Sequence, residues 1–184
     1  MRLGGSSLRQ APAMALALLG LGLGGAQNPP PAERSPPASD LVRLVVIVHP
    51  KNPVTDLKLR EVKAIFKLER QFWPNDRRVA LFLPPSSTAE KKILLEKIYN
   101  MTNEELRKYW LGKVFNGDIP AIPPVVRTAK AAGEVVKKSD GAVAVVRSTE
   151  VPEGVQVLSI DGKQPADSDY PLVGKEQPTQ SALP

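Results

Sequence analysis

The sequence predicts an α/β fold, a mixed or parallel sheet flanked by helices, and two observations predict it. The run "LVRLVVIVHP" (41–50) is almost continuously β-branched and ends in proline. Such a run reads as a strand buried on both faces, and only a sheet covered by helices on both sides buries a strand that way. Apolar runs then alternate with segments of helical period as far as residue 160, the order of an α/β domain. The chain has no cysteine. The fold therefore rests on packing alone, with no disulfide staple and no thiol chemistry.

Each element follows in order. In "TDLKLREVKAIFK", Leu59, Val62 and Phe66 recur at helical spacing, with Thr55 or Asp56 as the expected cap. "WPND" is a turn, and "RRVALFL" (77–83) is the second strand. "LPPSSTAE" (83–90) hands that strand to a helix over about 88–99, with Leu94 and Ile98 on its inner face. "MTNEELRKYWLGKVFNG" is the next helix. Thr102 and Glu105 form its capping box, Leu106, Tyr109 and Trp110 its apolar stripe, and Asn116-Gly117 its stop. The prolines of "DIPAIPP" (118–124) make a loop, and "TAKAAGEVVKKSDG" makes a helix capped by Thr128. "AVAVV" (142–146) and "VQVLSI" (155–160) are the last two expected strands.

Before the domain, residues 1–26 combine Arg2 and Arg9 with the apolar "MALALLGLGLGG" and a small residue at Ala26. That is the pattern of a signal peptide, so an exported, periplasmic chain with no membrane span after cleavage is expected; an uncleaved anchor is the alternative. Residues 27–40 hold five prolines within "NPPPAERSPPAS" and read as an extended linker. The folded domain is expected over 41–172. The polar 173–184 is expected to be a disordered tail.

The formal charge of +6 falls to +4 once Arg2 and Arg9 are removed, and the lysines are scattered. This disfavours nucleic acid as a partner. Enzymatic chemistry has little support. His49 is the single histidine, and no nucleophile elbow surrounds Ser87. There is no phosphate-loop or dinucleotide fingerprint, so no cofactor is expected. His49 cannot build a zinc site without cysteines or a carboxylate pair at ligand spacing, and it reads as a surface or hinge residue. Lys51 and Asn52 follow a strand's C-terminal end, where α/β proteins bind ligands, and are candidate site residues.

"LPPSSTAE" admits two readings. A helix start offers free N–H groups to an anion, Ser86, Ser87 and Thr88 add hydroxyls, and Lys91 and Lys92 add charge. The same residues also fit a capping box, Ser87-x-x-Glu90, in which Glu90 supplies the negative charge itself.

"AIFKLERQFWPNDRRVALFLPPSSTAEKKILLEKIYNMTNEELRKYW" resembles a stretch of the phosphate-type (PstS-like, type 2) periplasmic solute-binding proteins, through Ile65, Phe66, Trp73, Asp76 and Ser86 to Thr88. "KVFNGDIPAIPP", "SDGAVAVV" and "LSIDGKQP" with "YPL" resemble later segments of the small single-domain members, in the same order. The resemblance implies a single periplasmic-binding-protein-like lobe. It also implies a small oxyanion ligand such as phosphate at Ser86, Ser87 and Thr88, with Lys51 or Asn52 completing the site. An ABC transporter or another envelope protein is the implied partner. The sequence departs from the family pattern in several places. Leu83 stands in the place of the family's arginine, Pro85 in an acidic place, Ser86 and Thr88 in those of glycines, Ala89 in that of a threonine, and Ala144-Val145 in that of Gly-Tyr. These departures leave open a second reading, a domain that has lost its ligand and serves as an interaction or sensory module.

Overall fold

The computed structural model describes residues 41–176, so the expected signal segment, the linker and residues 177–184 lie outside the described residues. Along the chain run β1 (Leu41–Val48), β2 (Asp56–Leu57), α1 (Leu59–Phe66), β3 (Ala80–Leu81) and α2 (Ala89–Leu94). A π-helical turn (Leu95–Tyr99) continues α2, and α3 (Asn103–Phe115), α4 (Ala129–Lys138), β4 (Ala142–Arg147), β5 (Gln156–Ile160) and β6 (Val173–Lys175) follow. The sheet order is β2-β5-β1-β4-β3, with β6 also paired to β1. β1 is antiparallel to β4, β5 and β6, while β2–β5 and β3–β4 are parallel. The sheet is therefore mixed.

β1 is central and two-sided, as its sequence predicts. Leu44, Val46 and Val48 join Val143, Val145 and Leu158 on the face covered by α1, α2 and α3. Val45 and Ile47 join Ala144 and Val146 on the face covered by Ala132 and Val136 of α4. Alternation with period two is what sends neighbouring valines to opposite faces. Trp73 is a core residue, 2 % exposed, and its indole N–H donates to the Gly141 carbonyl at 3.0 Å. Gly141 has to be glycine because a Cβ there would meet the Arg78 carbonyl oxygen at 1.9 Å. That close approach brings β3 alongside the start of β4.

Three expectations need correction. Asp56 does not cap α1. It lies in β2, and its carboxylate accepts from the Ser159 hydroxyl (2.6 Å) and the Gly162 N–H (2.9 Å). The cap position is Lys58, whose N–H donates to Glu61 at 2.9 Å. The second strand is also far shorter than 77–83. Its residues change partner, from Gln71 at Val79, to β4 at Ala80–Leu81, to Pro124 and Val126 at Leu83, so only two residues form a continuous ladder. Third, residues 173–176 are not tail. Val173–Lys175 pair with Leu41–Arg43, because the first half of β1 has a free edge whose backbone groups need partners.

Candidate functional site

A cleft of about 90 Å³ opens where β3 and β4 end. Two helix starts meet on it. Thr88 caps α2 by accepting from the Lys91 N–H at 3.3 Å, and Thr128 caps α4 by accepting from the Ala131 N–H at 3.1 Å. Arg127 and Arg147 line the same cleft, with Glu90 and Glu150. Each helix start contributes partial positive charge, so the backbone favours an anion here.

The side chains already supply one. The Arg147 guanidinium donates through Nε to Glu90 and through both terminal nitrogens to Glu176, each at 2.8 Å. The Glu176 pair is bidentate, the stronger carboxylate geometry. Those hydrogen bonds to Glu176, and then to Glu90, raise the Arg147 pKa further. Burial works to raise the Glu90 pKa, but its hydrogen bonds from Arg147 and from its own backbone N–H outweigh that, and the carboxyl lies below the usual range. The Arg147 hydrogen bond likewise lowers Glu176. One guanidinium thus faces two carboxylates, and a ligand oxyanion has to displace one of them. Glu90 is the fixed partner, with its side chain 15 % exposed, whereas Glu176 is 43 % exposed.

The expected site residues do not gather in one place. Thr88 lines the cleft, but its hydroxyl is committed: it donates to the Pro85 carbonyl at 2.9 Å and accepts from Lys91. Ser87 sits in the exposed turn before it and is not the cap. The capping box Ser87-x-x-Glu90 is therefore not formed. The cap falls one residue later, and Glu90 turns to Arg147 instead of folding back. Ser86 lines a different groove, with Lys91 and Trp110.

Lys51 and Asn52 lie at the far end of the sheet. β1 runs antiparallel to β4, with Val48 opposite Val143 and Leu44 opposite Arg147. The turn after β1 is thus beside Asp140, and the cleft is at the other end of β4. Asn52 is buried, its Oδ1 accepting from the Val54 N–H at 3.0 Å. His49 is not a surface residue: it is 8 % exposed, its Nδ1 accepts from the Lys51 N–H at 3.1 Å, and Nε2 lies 3.4 Å from Asp140. The same register keeps His49 away from Ser87, so the two do not form a nucleophile and base.

Arg147 and Glu176 carry the cleft's charge, and neither stands out in the sequence. A lone arginine ending the apolar "AVAVVR" was the available signal. Its partner lies in a stretch whose polar composition reads as tail.

No model of a protein family matches the chain, and no curated protein matches it. Solved structures do. An ABC-type phosphate transport receptor from Vibrio cholerae is 16 % identical with a TM-score of 0.58, over 73 % of this chain and 54 % of that one. PstS from Borrelia burgdorferi is 16 % identical with a TM-score of 0.59, over 74 % of this chain and 56 % of that one. A putative phosphate ABC transporter substrate-binding protein from Clostridium perfringens, solved with bound phosphate, is 17 % identical with a TM-score of 0.54, over 68 % and 47 %. At this identity the likeness is one of fold: the chain forms a periplasmic-binding-protein-like α/β lobe. It spans about half the length of these receptors. Among the described residues no helix is long and apolar enough to cross a membrane.

Proposed function

We propose that the chain is an exported solute-binding-type domain for a small oxyanion such as phosphate, acting at the periplasmic face beside an ABC transporter or another envelope protein. The single observation that carries this is the meeting of two helix starts with the Arg147 guanidinium in one cleft. The likeness in fold to phosphate receptors supports it. The Arg147 and Arg127 guanidinium groups are the donors, and the two helix starts add their partial positive charge. Arg147 takes the role that Leu83 cannot. Glu176 is the carboxylate that the ligand replaces, and this exchange holds affinity low. The proposed site leaves out Lys51 and Asn52.

Calorimetric titration of the 184-residue chain with phosphate tests the reading. Weak binding is expected in the wild type, severalfold tighter binding in Glu176→Gln, and none in Arg147→Met. No heat at millimolar phosphate in either of the first two proteins would leave a domain without ligand, an interaction module.

A further inference from the structure

Lys91 is the one buried lysine or arginine among the described residues. It is 6 % exposed, and no described carboxylate lies within ion-pair distance of its ammonium. Its one close neighbour of note is the Tyr99 ring, 5.8 Å from Nζ to the centroid. It also sits at the third position of α2, where a cation opposes the helix dipole. A buried charge is normally paired, so an unpaired one breaks a rule without local return. Such violations concentrate at functional positions.

Lys91 lines an open groove of about 520 Å³, separate from the Arg147 cleft. Leu83, Leu106 and Trp110, each at most 3 % exposed, lie beneath it, and Ile122 and Val125, 43 % and 54 % exposed, form its rim. The volume suits a small organic molecule. Trp110 carries a second unmet group: its indole N–H, shut off from solvent, has no acceptor among the described residues. The lining cations are Lys91 and Arg107, against Glu104, which is already held by Lys108 at 3.1 Å.

We propose that this groove binds an apolar monocarboxylate, with Lys91 taking the carboxylate and the Leu83, Leu106, Trp110 and Ile122 surface taking the hydrocarbon. Lys91 is the one buried cation of the groove, set against an apolar floor, and matches one negative charge with a hydrocarbon beside it. A phosphate dianion has no apolar part to cover the Leu83, Leu106 and Trp110 floor and would lose more hydration there than one buried ammonium returns. The hydrocarbon part gains about 25 cal/mol per Å² of apolar surface it covers. This site is independent of the oxyanion reading of the Arg147 cleft.

The test is titration of the full chain with decanoate below its micelle concentration and with decanol, followed by calorimetry and by the Trp110 indole N–H resonance. Decanoate is expected to bind at least tenfold tighter than decanol and to shift that resonance saturably. Lys91→Met, which keeps the side-chain length, should bring the two affinities together and leave the response to phosphate unchanged. If circular dichroism shows Lys91→Met unfolded, Ile122→Asp at the exposed rim decides, and should weaken decanoate at least tenfold while leaving phosphate untouched. Equal affinity for decanoate and decanol, no decanoate binding, or unchanged decanoate binding in the folded Lys91→Met or in Ile122→Asp would each overturn the proposal.

Discussion

Glu90 and Lys91 are neighbours in sequence and face two different cavities. A helix turns about 100° per residue, so one start can serve two sites. Glu90 meets an arginine that a second carboxylate also holds, whereas Lys91 enters a groove whose one carboxylate, Glu104, is already held by Lys108. Together they show that charge is distributed unevenly within one turn. The cleft holds two carboxylates on one guanidinium, while the groove leaves the Lys91 ammonium without one. An oxyanion has to compete for the first, and an organic anion would complete the second.

The largest way to break this comparison is Arg147→Met. It leaves Glu90 half-buried beside Glu176 with no cation between them, and the unfolding free energy should fall by about 2–3 kcal/mol. Urea denaturation of wild type and variant measures this. A loss within the scatter of surface substitutions would mean that the cluster is held by solvent rather than by the guanidinium.

Lys91→Met should move stability the other way, by about 1–2 kcal/mol at pH 7, because it removes a buried charge that no partner compensates. Burial lowers the Lys91 pKa to about 8 from its ordinary 10.5. The unfolded chain therefore binds more protons than the folded one between those two values, so wild-type stability should rise as pH climbs from about 8 to 10.5. Below pH 8 both states hold the proton and the contribution is flat. Lys91→Met should lack the rise. The same slope in both proteins would show that another group titrates there. Glu90 gives a slope of the same sign in an acid window. Its carboxyl lies below 4.5, so its contribution is present above that pH and lost as pH falls through the lower folded value.

Much of the fold is legible in the sequence, and the reason is local. The double-faced β1, the capping box at Thr102–Glu105, the α4 cap at Thr128 and the buried Trp73 and Trp110 are all written in residue type and short-range spacing. The Thr102 N–H donates to Glu105 at 2.8 Å, as that spacing requires. What is not legible depends on partners distant along the chain. β6 exists because β1 has an open edge, and a ladder satisfies backbone groups whatever the side chains. Arg147 reaches carboxylates 57 and 29 residues away, and no spacing rule links them. Lys91 reads as an exposed first-turn cation, and only the packing of α2 against the sheet and α3 turns it inward.

The smallest predicted effect concerns the cap itself and separates two adjacent residues. Thr88 accepts the Lys91 N–H, while Ser87 lies in the exposed turn and makes no side-chain hydrogen bond to another described residue. Thr88→Ala should therefore cost about 1 kcal/mol, the usual worth of a lost N-cap, and Ser87→Ala should cost close to nothing. The same two variants bear on the cleft. The Thr88 hydroxyl is spent on Pro85 and Lys91, so its removal touches an oxyanion only by loosening the helix start. Ser87 keeps its hydroxyl for solvent or ligand. Thermal unfolding of both variants, run with and without phosphate, reads the two effects apart. A stability loss in Ser87→Ala comparable to that in Thr88→Ala would move the cap back one residue, and with it the backbone N–H groups that face the cleft.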